Sequence, residues 1–444
     1  MLGEKEKVSA AMWLPLLWVL RCGSRSLLYW FDPQAAMAAD SADYMTGNPF
    51  DRNFFLALEF LGLGVLIWRR FDVVYFIRHN PFLVLIYTYL LVSLLWSDFP
   101  DVSIRRWGRT LGDILMALVV VSESNVPAAV SWMYRRFAYV LIPMSVLFVK
   151  YFRELGVAYD FTGQVEMWVG VTTHKNSLGQ LVTLSLLLLL WGFLRRKWTA
   201  LDIPVFLMAL WLLAGSRTSN SKTSMLVFLL GAMLLFALSR MRNAKLIGLG
   251  VSIGVPLVFV TEVVLEVFFQ SSIFNVVVSS TGRDATLTGR TDLWAALIEM
   301  GMKHPLLGAG YGSFWLGDFT NTLWKQFVWH PLQAHNGYID IFIDVGVVGL
   351  LLVAFQVFWG LRSSYREIKA GGDLGKLRLM LILMIVVYNI SESSFIKPTS
   401  LLWFAFLVMS IHDPEGRERV EELPKFYGEG QEPVTVSEEE GESV

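Results

Sequence analysis

This sequence of 444 residues contains almost no cysteine and few charged residues. Its single cysteine, Cys22, lies in an apolar run, which excludes an intramolecular disulfide framework and a thiolate metal site. Charged residues make up only 17% of the chain, against about 25% in an average soluble domain. Hydrophobic residues make up 55%. This composition predicts a polytopic membrane protein, for which lipid replaces water as the main solvent.

The usual metal-binding patterns are also missing. There is no His-Glu-x-x-His segment, no Asp-x-Asp segment in a predicted outer loop and no cysteine pair. The glycine-rich segment 308–312 lacks the strand, turn and helix context of a nucleotide-binding loop. We therefore expect no metal and no cofactor. Arginine and lysine would have to neutralise any negative charge that develops in a reaction.

Twelve apolar runs approach the length of a membrane span, which is about 20 residues. They predict an all-α membrane protein of about twelve transmembrane helices. The runs are Ala10–Trp30, Asn53–Trp68, Pro81–Trp96, Thr110–Val121, Phe137–Phe152, Ser177–Phe193, Leu201–Ala214, Ser224–Leu238, Leu246–Phe268, Gly337–Trp359, Leu379–Ile396 and Ser400–Ile411. The bundle is predicted to comprise residues 1–413, and the acidic residues 414–444 are predicted to form a disordered cytoplasmic tail.

The positive charges between the runs predict the orientation of the bundle. Alternate connections are rich in arginine and lysine, at residues 69–70, 135–136, 195–197, 240–245 and 362–378. We expect these connections, and both termini, to face the cytoplasm. The opposite connections also carry cations, among them Arg105, Arg106, Arg217, Arg283 and Arg290. One such charge is easily tolerated in a short loop, but the set favours an anionic substrate, because guanidinium groups donate paired hydrogen bonds to phosphate.

The longest predicted outer connection, residues 270–336, leads into the tenth apolar run through the segment 333–338, Gln-Ala-His-Asn-Gly-Tyr. His335 precedes the predicted helix start, where the helix dipole disfavours an imidazolium ion. It is therefore the best candidate for a general base, although a helix-capping or interfacial role is the alternative. His174, which precedes the sixth run, is a second candidate.

Two arginines and two aspartates are further candidates. Arg290 is predicted to lie at a helix N-terminus, where a bound anion would relieve its conflict with the dipole; a surface salt bridge is the alternative. Arg217 lies in a polar turn whose amides could face an anion, or it is an interfacial arginine. Asp340 and Asp344 are four residues apart, on one helix face, and could pair with arginines.

These segments resemble the O-antigen ligase and polymerase superfamily of bacterial envelope proteins. The strongest part extends from Gly282 to Leu350 and contains the segments GRTDLW, PLLGAGY, HNGY and DVGVVG. Residues 96–107, with WSDFP and RRW, and residues 174–179, HKNSLG, resemble the exopolysaccharide polymerases within it. The resemblance leaves the choice between ligase and polymerase open.

The resemblance implies a GT-C-like glycosyltransferase that moves a glycan from undecaprenyl diphosphate to an acceptor hydroxyl without a metal. The family's two catalytic arginines match Arg217 and Arg290, and its histidine matches His335. The expected partners are the lipid bilayer, the lipid-linked donor and an acceptor, either lipid A–core or another glycan, and no nucleic acid. The implied location is the bacterial inner membrane, with the active site facing the periplasm. Further substrate contacts are expected at Arg283, Arg105, Arg106, His174 and Asn336.

A transporter or flippase for lipid-linked glycans is the alternative function. Transporters usually place polar groups near the bilayer midplane and contain internal repeats. In this sequence the charged candidates lie at the predicted outer edge, and no repeat relates the two halves. This pattern favours a transferase.

Overall fold

The computed structural model describes residues 8–32, 48–159, 163–215, 221–241, 250 and 290–411. These residues are mostly helical, which confirms the all-α prediction at the level of class. The exception is a small antiparallel hairpin of strands β1 (Val157–Tyr159) and β2 (Glu166–Trp168), in which Ala158 lies opposite Met167. The predicted tail 414–444 lies outside the described residues.

The helices of the first half follow the predicted runs closely. In chain order they are α1 (Trp13–Cys22), α2 (Leu27–Phe31), α3 (Pro49–Trp68), α4 (Val73–His79), α5 (Pro81–Val92), α6 (Pro100–Val121), α7 (Val126–Tyr151) and α8 (Arg153–Gly156). Short 3-10 helices precede α1 (Ala10–Met12) and follow α5 (Ser93–Trp96).

The second half contains the remaining helices: α9 (Lys175–Leu194), α10 (Asp202–Ala214), α11 (Lys222–Arg240), α12 (Arg290–Gly301), α13 (Gly317–Gln326), α14 (Gly337–Lys369), α15 (Asp373–Tyr388) and α16 (Leu401–Ser410). Among the described residues, α9, α11 and α14 are long and apolar enough to cross a bilayer. The segment from α4 to Trp96, bent by 99°, is a possible fourth span, and the remaining apolar helices are shorter. The total of twelve spans stays a prediction.

Two predicted runs end differently in the structure. The first run is interrupted after Cys22, and Arg25 in the break donates from Nε to the backbone oxygen of Thr172 at 2.8 Å. The eleventh run was predicted to continue to Ile396, but its helix ends at Tyr388. The ninth run lies outside the described residues except for residue 250.

Two ion pairs join segments at or beside the connections that were predicted to face the cytoplasm. Arg69 donates to the hydroxyl of Ser9 at 2.7 Å and forms an ion pair with Glu123. Arg135 lies 3.3 Å from the carboxylate of Asp202. Each contact joins two segments that the charge pattern assigns to the same side of the bundle. Which end faces the cytoplasm stays a prediction.

Helix α14 is broken near its start at Gly346, whose φ of 67° is strongly favoured only for glycine. The backbone N–H groups of Val347 and Val348 donate to the carbonyls of Pro305 and Leu306, at 2.9 and 3.2 Å. The loop before α13 therefore satisfies the donors that the break exposes, as a membrane protein requires. A Cβ atom at Gly346 would lie 2.2 Å from the oxygen of Leu306, so the close approach also requires glycine.

Helix α16 lies at the centre of the bundle, and each of its residues from Leu401 to Ser410 is buried. It packs against α6, α14 and α15. Just before it, the backbone N–H of Thr399 donates to the buried carboxylate of Asp113 on α6, at 3.0 Å, and the indole of Trp18 donates to the same group at 2.8 Å. These bonds anchor the segment between α15 and α16 to the core.

Candidate active site

The site is organised by residues 389–400, which connect α15 to α16 and are here called the site turn. The side chain of Asn389 shapes this turn, because its oxygen accepts from the backbone N–H groups of Ser394 and Phe395 at 2.9 and 3.0 Å. Its amide nitrogen donates to the hydroxyl of Ser394 at 2.7 Å. Asn389 itself is fully buried, so the turn is a fixed platform for the residues that it carries.

Glu392 is the centre of the site, and only 4% of it is exposed. Its carboxylate accepts hydrogen bonds from Asn176 on α9 and from Arg290 on α12. It also lies 3.4 Å from the Nδ1 atom of His335. A buried carboxylate is costly unless it is paired and hydrogen-bonded, and Glu392 meets that requirement by joining three segments that are distant in sequence.

Arg290 begins helix α12 and fixes it to the site turn. Its Nη1 donates to the backbone oxygen of Ser391 at 2.7 Å, and its Nη2 lies 3.3 Å from Glu392 Oε1. Arg290 therefore forms a salt bridge with the buried Glu392, and not the surface salt bridge that was considered as its alternative. One turn along the helix, the indole of Trp294 donates to the oxygen of Ala334 at 2.8 Å. Helix α12 thus holds the segment next to His335.

His335 adopts a left-handed backbone conformation, with φ of 51°, which is uncommon for residues other than glycine. Its Nδ1 lies 3.4 Å from Glu392 Oε2 and 3.3 Å from the amide nitrogen of Gln333. Within the described residues its Nε2 makes no hydrogen bond, and 16% of the side chain is exposed. The ring therefore has one nitrogen directed to a carboxylate and one available to a ligand, the arrangement of a carboxylate-oriented base.

A lysine connects Gln333 to the candidate aspartate on α14. The ammonium group of Lys397 donates to the side-chain oxygen of Gln333 at 2.9 Å and lies 2.9 Å from Asp340 Oδ2. Asp340 also accepts from the indole of Trp315 and from the backbone N–H of Ala334. The prediction that Asp340 pairs with an arginine is therefore wrong, because its partner is Lys397. This chain of contacts supports the segment beside His335.

The side chain of Asn336 is a helix cap. Its oxygen accepts from the backbone N–H groups of Tyr338 and Ile339, at 3.0 and 3.2 Å, which satisfies two donors that α14 would otherwise leave open. Its own backbone N–H donates to the hydroxyl of Ser393 at 3.1 Å. These bonds give Asn336 a positioning role, and the substrate contact that its motif implied stays a prediction.

Gly337 allows the start of α14 to approach the site turn. Its backbone N–H donates to the oxygen of Asn389 at 2.8 Å. A Cβ atom at this position would lie 2.0 Å from the side-chain oxygen of Asn389, far inside van der Waals contact. The glycine after His335 and Asn336 is therefore required by packing, and it places His335 beside Glu392.

His174 is brought to the same site by helix α9. It caps this helix by accepting from the backbone N–H of Asn176 through Nδ1, at 3.2 Å. The pKa of His174 is lowered to about 4, mainly by burial; Glu392 opposes this shift, and the nearby positive charges, among them Lys175 and Arg290, add to it. The ring is consequently neutral at neutral pH.

The pKa of Glu392 is set by opposing effects. Burial raises the pKa of Glu392, but the hydrogen bond with His335 and the charge of Arg290 outweigh this effect. The net result is a pKa below the ordinary value of 4.5. Glu392 is therefore a carboxylate at neutral pH and stabilises positive charge on the groups around it.

The other predicted site residues have different positions. Arg106 donates to the backbone oxygen of Gly312 in the glycine-rich loop, and Arg105 is exposed on the same helix, α6. Neither contacts Glu392 or His335 among the described residues. Arg217 and Arg283 lie outside the described residues, so the role of Arg217 as a second catalytic arginine stays a prediction.

Glu392 was missed by the sequence analysis because it falls inside a run that was assigned to a membrane helix. The segment 391–394, Ser-Glu-Ser-Ser, is the signal that could have found it. A carboxylate within an apolar run is costly unless it is partnered and is therefore a functional candidate. Among the described residues no group of three or more His, Cys, Asp or Glu side chains is arranged to hold a metal ion; metal independence itself stays a prediction.

Comparison with known proteins relates this geometry to a family. Residues 207–354 match the family model described as O-antigen ligase. The chain is also 25% identical over 273 residues to the exopolysaccharide production protein ExoQ of Rhizobium meliloti (strain 1021), a match that covers 59% of this chain and 60% of the relative. The family acts on glycans and lipid-linked donors in general. These matches confirm the predicted resemblance: this membrane protein is similar to the O-antigen ligase family over residues 207–354 and to an exopolysaccharide production protein over more than half of its length.

Proposed function

We propose that this protein is a metal-independent membrane glycosyltransferase that moves a glycan from undecaprenyl diphosphate to an acceptor hydroxyl. The observation that carries the proposal is the convergence of Arg290, Glu392 and His335, from three separate segments, at one end of the bundle. A cation suited to phosphate and a histidine suited to proton transfer are the two groups that this reaction needs. The proposed location is the bacterial inner membrane, with the site on the periplasmic side.

Arg290 is the proposed contact for the diphosphate. Two of its N–H groups are used by Ser391 and Glu392, and a guanidinium group has five. The remaining donors can bind oxygens of the leaving diphosphate, while the protein contacts keep the group in a fixed orientation. Donors that are fixed before the reaction stabilise developing charge most strongly in a site from which water is excluded. Arg217 is the proposed second cation.

His335 is the proposed base. Its Nε2 accepts the proton of the acceptor hydroxyl, whose oxygen forms a bond to the anomeric carbon of the donor glycan. The bond between that carbon and the phosphate oxygen breaks, and its electron pair leaves with the diphosphate. Glu392 stabilises the imidazolium ion through Nδ1, which makes the proton transfer less costly.

The acceptor is proposed to be another lipid-linked glycan, as in a polymerase. ExoQ, which matches a larger part of this chain than the family model does, has a name that refers to exopolysaccharide production. The segment 174–179, which resembles exopolysaccharide polymerases, contributes His174 and Asn176 to the contacts around Glu392. Transfer to lipid A–core, as in a ligase, is the second candidate, supported by the family match over residues 207–354.

The test is a transfer assay with the purified full chain in lipid nanodiscs. The donor is an undecaprenyl-diphosphate-linked oligosaccharide, and the acceptors are a second lipid-linked oligosaccharide and lipid A–core, offered separately. We expect transfer in the presence of a chelator, and its loss by about 100-fold or more in His335→Ala or Arg290→Ala. Transfer that needs Mg²⁺, or full activity of His335→Ala, would contradict the mechanism.

A further inference from the structure

The ring of His174 is held in one tautomer by the start of α9. The backbone N–H of Asn176 donates to Nδ1 of His174 at 3.2 Å. Because a backbone amide can only donate, this bond assigns the lone pair to Nδ1. A neutral imidazole whose Nδ1 is unprotonated carries its proton on Nε2. His174 therefore presents an N–H donor on its free nitrogen.

His174 lies at the start of α9, beside the charged part of the site, because Asn176, two residues further along, donates to the carboxylate of Glu392 that Arg290 also contacts. The ring is within electrostatic range of Glu392, His335, Arg290 and Lys175. Within the part of the chain that the structure describes, its Nε2–H donates to no protein group, although the residue is half-buried. This N–H donor is therefore open to a ligand that supplies an acceptor. Next to Arg290, that ligand is expected to be an anion with oxygen acceptors.

The same geometry excludes His174 as the base. Its Nδ1 is occupied by the N–H of Asn176, and its Nε2 already carries the proton. Neither nitrogen can therefore accept a proton from a hydroxyl group while the cap is in place. The positive end of the dipole of α9 also disfavours an imidazolium ion at this position. Of the two histidines considered as bases, only His335 has a nitrogen that is free to accept a proton.

We propose that the Nε2–H of His174 donates a hydrogen bond to an oxygen of the donor's diphosphate, a role that rests on the proposed function. His174 and Arg290 would then bind the same diphosphate from α9 and α12. A neutral donor adds a hydrogen bond without a further positive charge, so it leaves the pairing of Glu392 with Arg290 and His335 undisturbed. No covalent bond changes at His174, which is a binding and positioning residue.

Two substitutions separate the two nitrogens of His174. In His174→Asn the side-chain oxygen takes the place of Nδ1, so the helix cap is kept, but the donor is lost. In His174→Gln the amide nitrogen reaches the place of Nε2, so the donor is kept, but the cap is lost. The two variants therefore make opposite predictions for function and for thermal stability.

The first measurement is binding of undecaprenyl diphosphate to the full chain in nanodiscs. We expect His174→Asn to melt close to the wild-type temperature and to bind about 10- to 100-fold more weakly, as for the loss of one hydrogen bond to a charged group. We expect His174→Gln to melt at a lower temperature and to recover most of the binding. In the transfer assay, His174→Asn is expected to be slower, with the acid limb of its pH–rate profile unchanged.

The opposite pattern would overturn the proposal. If His174→Asn binds like wild type and His174→Gln does not, His174 is only a helix cap. If His174→Asn removes the acid limb, His174 is a base after all. Failure of the proposed function would appear separately, as wild-type protein that transfers no glycan, and the binding comparison would still decide the role of His174.

Discussion

Glu392 Oε2 lies 3.4 Å from Nδ1 of His335, although the two residues are 57 positions apart in the chain. The contact is formed because Gly337 lets the start of α14 reach the site turn, where Asn389 accepts its backbone N–H at 2.8 Å. It gives the imidazole of His335 an orientation and a counter-charge at once. The catalytic proposal therefore depends on Glu392 as much as on His335.

The first prediction concerns Glu392→Gln. The substitution keeps the size of the side chain but removes the charge that stabilises an imidazolium ion on His335 and that pairs with Arg290. We expect the transfer rate to fall by about 100-fold or more, as when the acidic member of a catalytic triad is neutralised. The measurement is the rate of glycan transfer at saturating donor, with correct folding checked by gel filtration and helical circular dichroism.

Glu166→Gln is the matched control for this change. Glu166 on β2 pairs with Arg153 on α8 at 2.7 Å, and solvent reaches both side chains, which are 31% and 54% exposed. Exposed pairs of this kind contribute little to stability, about 0–1 kcal/mol. We expect wild-type transfer in this variant. Equal loss in both glutamine variants would mean that the effect at Glu392 is not specific to the site.

The second prediction is the pH dependence of the stability that Glu392 contributes. Its pKa in the folded protein is below the ordinary value of 4.5, so the folded state favours the carboxylate. The resulting stabilisation is present above pH 4.5 and is lost as the pH falls through the lower, folded pKa. We expect the titration of Glu392 itself to change the difference in melting temperature between wild type and Glu392→Gln only below about pH 5.

Thermal unfolding in detergent at a series of pH values measures this difference. Below pH 4.5 the gap between wild type and Glu392→Gln should narrow, because the wild-type carboxylate becomes protonated. A gap that does not narrow below pH 4.5 would show that the folded pKa is not lowered, and that burial outweighs the contacts with His335 and Arg290.

The helices could be predicted from the sequence where their ends coincide with a change from apolar to polar residues. Helix α9 extends from Lys175 to Leu194, against the predicted Ser177–Phe193, and α14 begins at the predicted Gly337. Helix α6 begins at Pro100, ten residues before the predicted Thr110, because the arginines that interrupt the apolar run do not interrupt the helix. Hydropathy identifies the part of a helix that lies in an apolar environment, and it therefore misses helical turns that contain polar residues.

The site could be predicted only in part, for a related reason. His335 and Arg290 were found because a polar residue at a helix start is visible as a local pattern. Glu392 was missed because it lies in an apolar run that predicts a membrane helix. The partners that make its burial favourable come from α9, α12 and the segment before α14. Contacts of this kind are tertiary, so the segment 391–394 could mark Glu392 as a candidate but could not identify its partners.

The third prediction separates the stabilising and orienting roles of Lys397. Lys397→Met leaves the buried carboxylate of Asp340 without its counter-charge, and we expect a loss of about 2 kcal/mol, less than for a fully buried pair because Lys397 is partly exposed. In the double variant, Asp340→Asn also removes the negative charge at position 340, and the side-chain oxygen of the asparagine can still accept the hydrogen bond from Trp315. We therefore expect the double variant to recover about 1 kcal/mol or more of the stability.

Activity should not recover in that double variant. Lys397 also holds Gln333, which lies 3.3 Å from Nδ1 of His335, and Asp340→Asn does not replace this contact. We expect the transfer rate to stay about tenfold below wild type in both Lys397→Met and the double variant, as for a misplaced catalytic group. Recovery of the rate together with the stability would show that Lys397 acts on folding alone.

The fourth prediction tests the packing that brings His335 to Glu392. In Gly337→Ala the new Cβ atom would lie 2.0 Å from the side-chain oxygen of Asn389, and Asn389 is fixed by its own hydrogen bonds. The start of α14 must therefore move away from the site turn. We expect a loss of about 2 kcal/mol in the free energy of unfolding and a fall in transfer of about 100-fold, because a displacement of 1 Å is enough for such an effect.

The matched control is Gly64→Ala, the same change within helix α3. A Cβ atom at Gly64 meets nothing within 4 Å, and alanine is a better helix former than glycine by about 1 kcal/mol. We expect this variant to melt at or above the wild-type temperature and to transfer glycan normally. Because the two substitutions are chemically identical, a difference between them isolates the contact of Gly337 with Asn389. If Gly337→Ala remains active and stable, the site turn is more adaptable than the hydrogen bonds of Asn389 imply, and close packing there does not position His335.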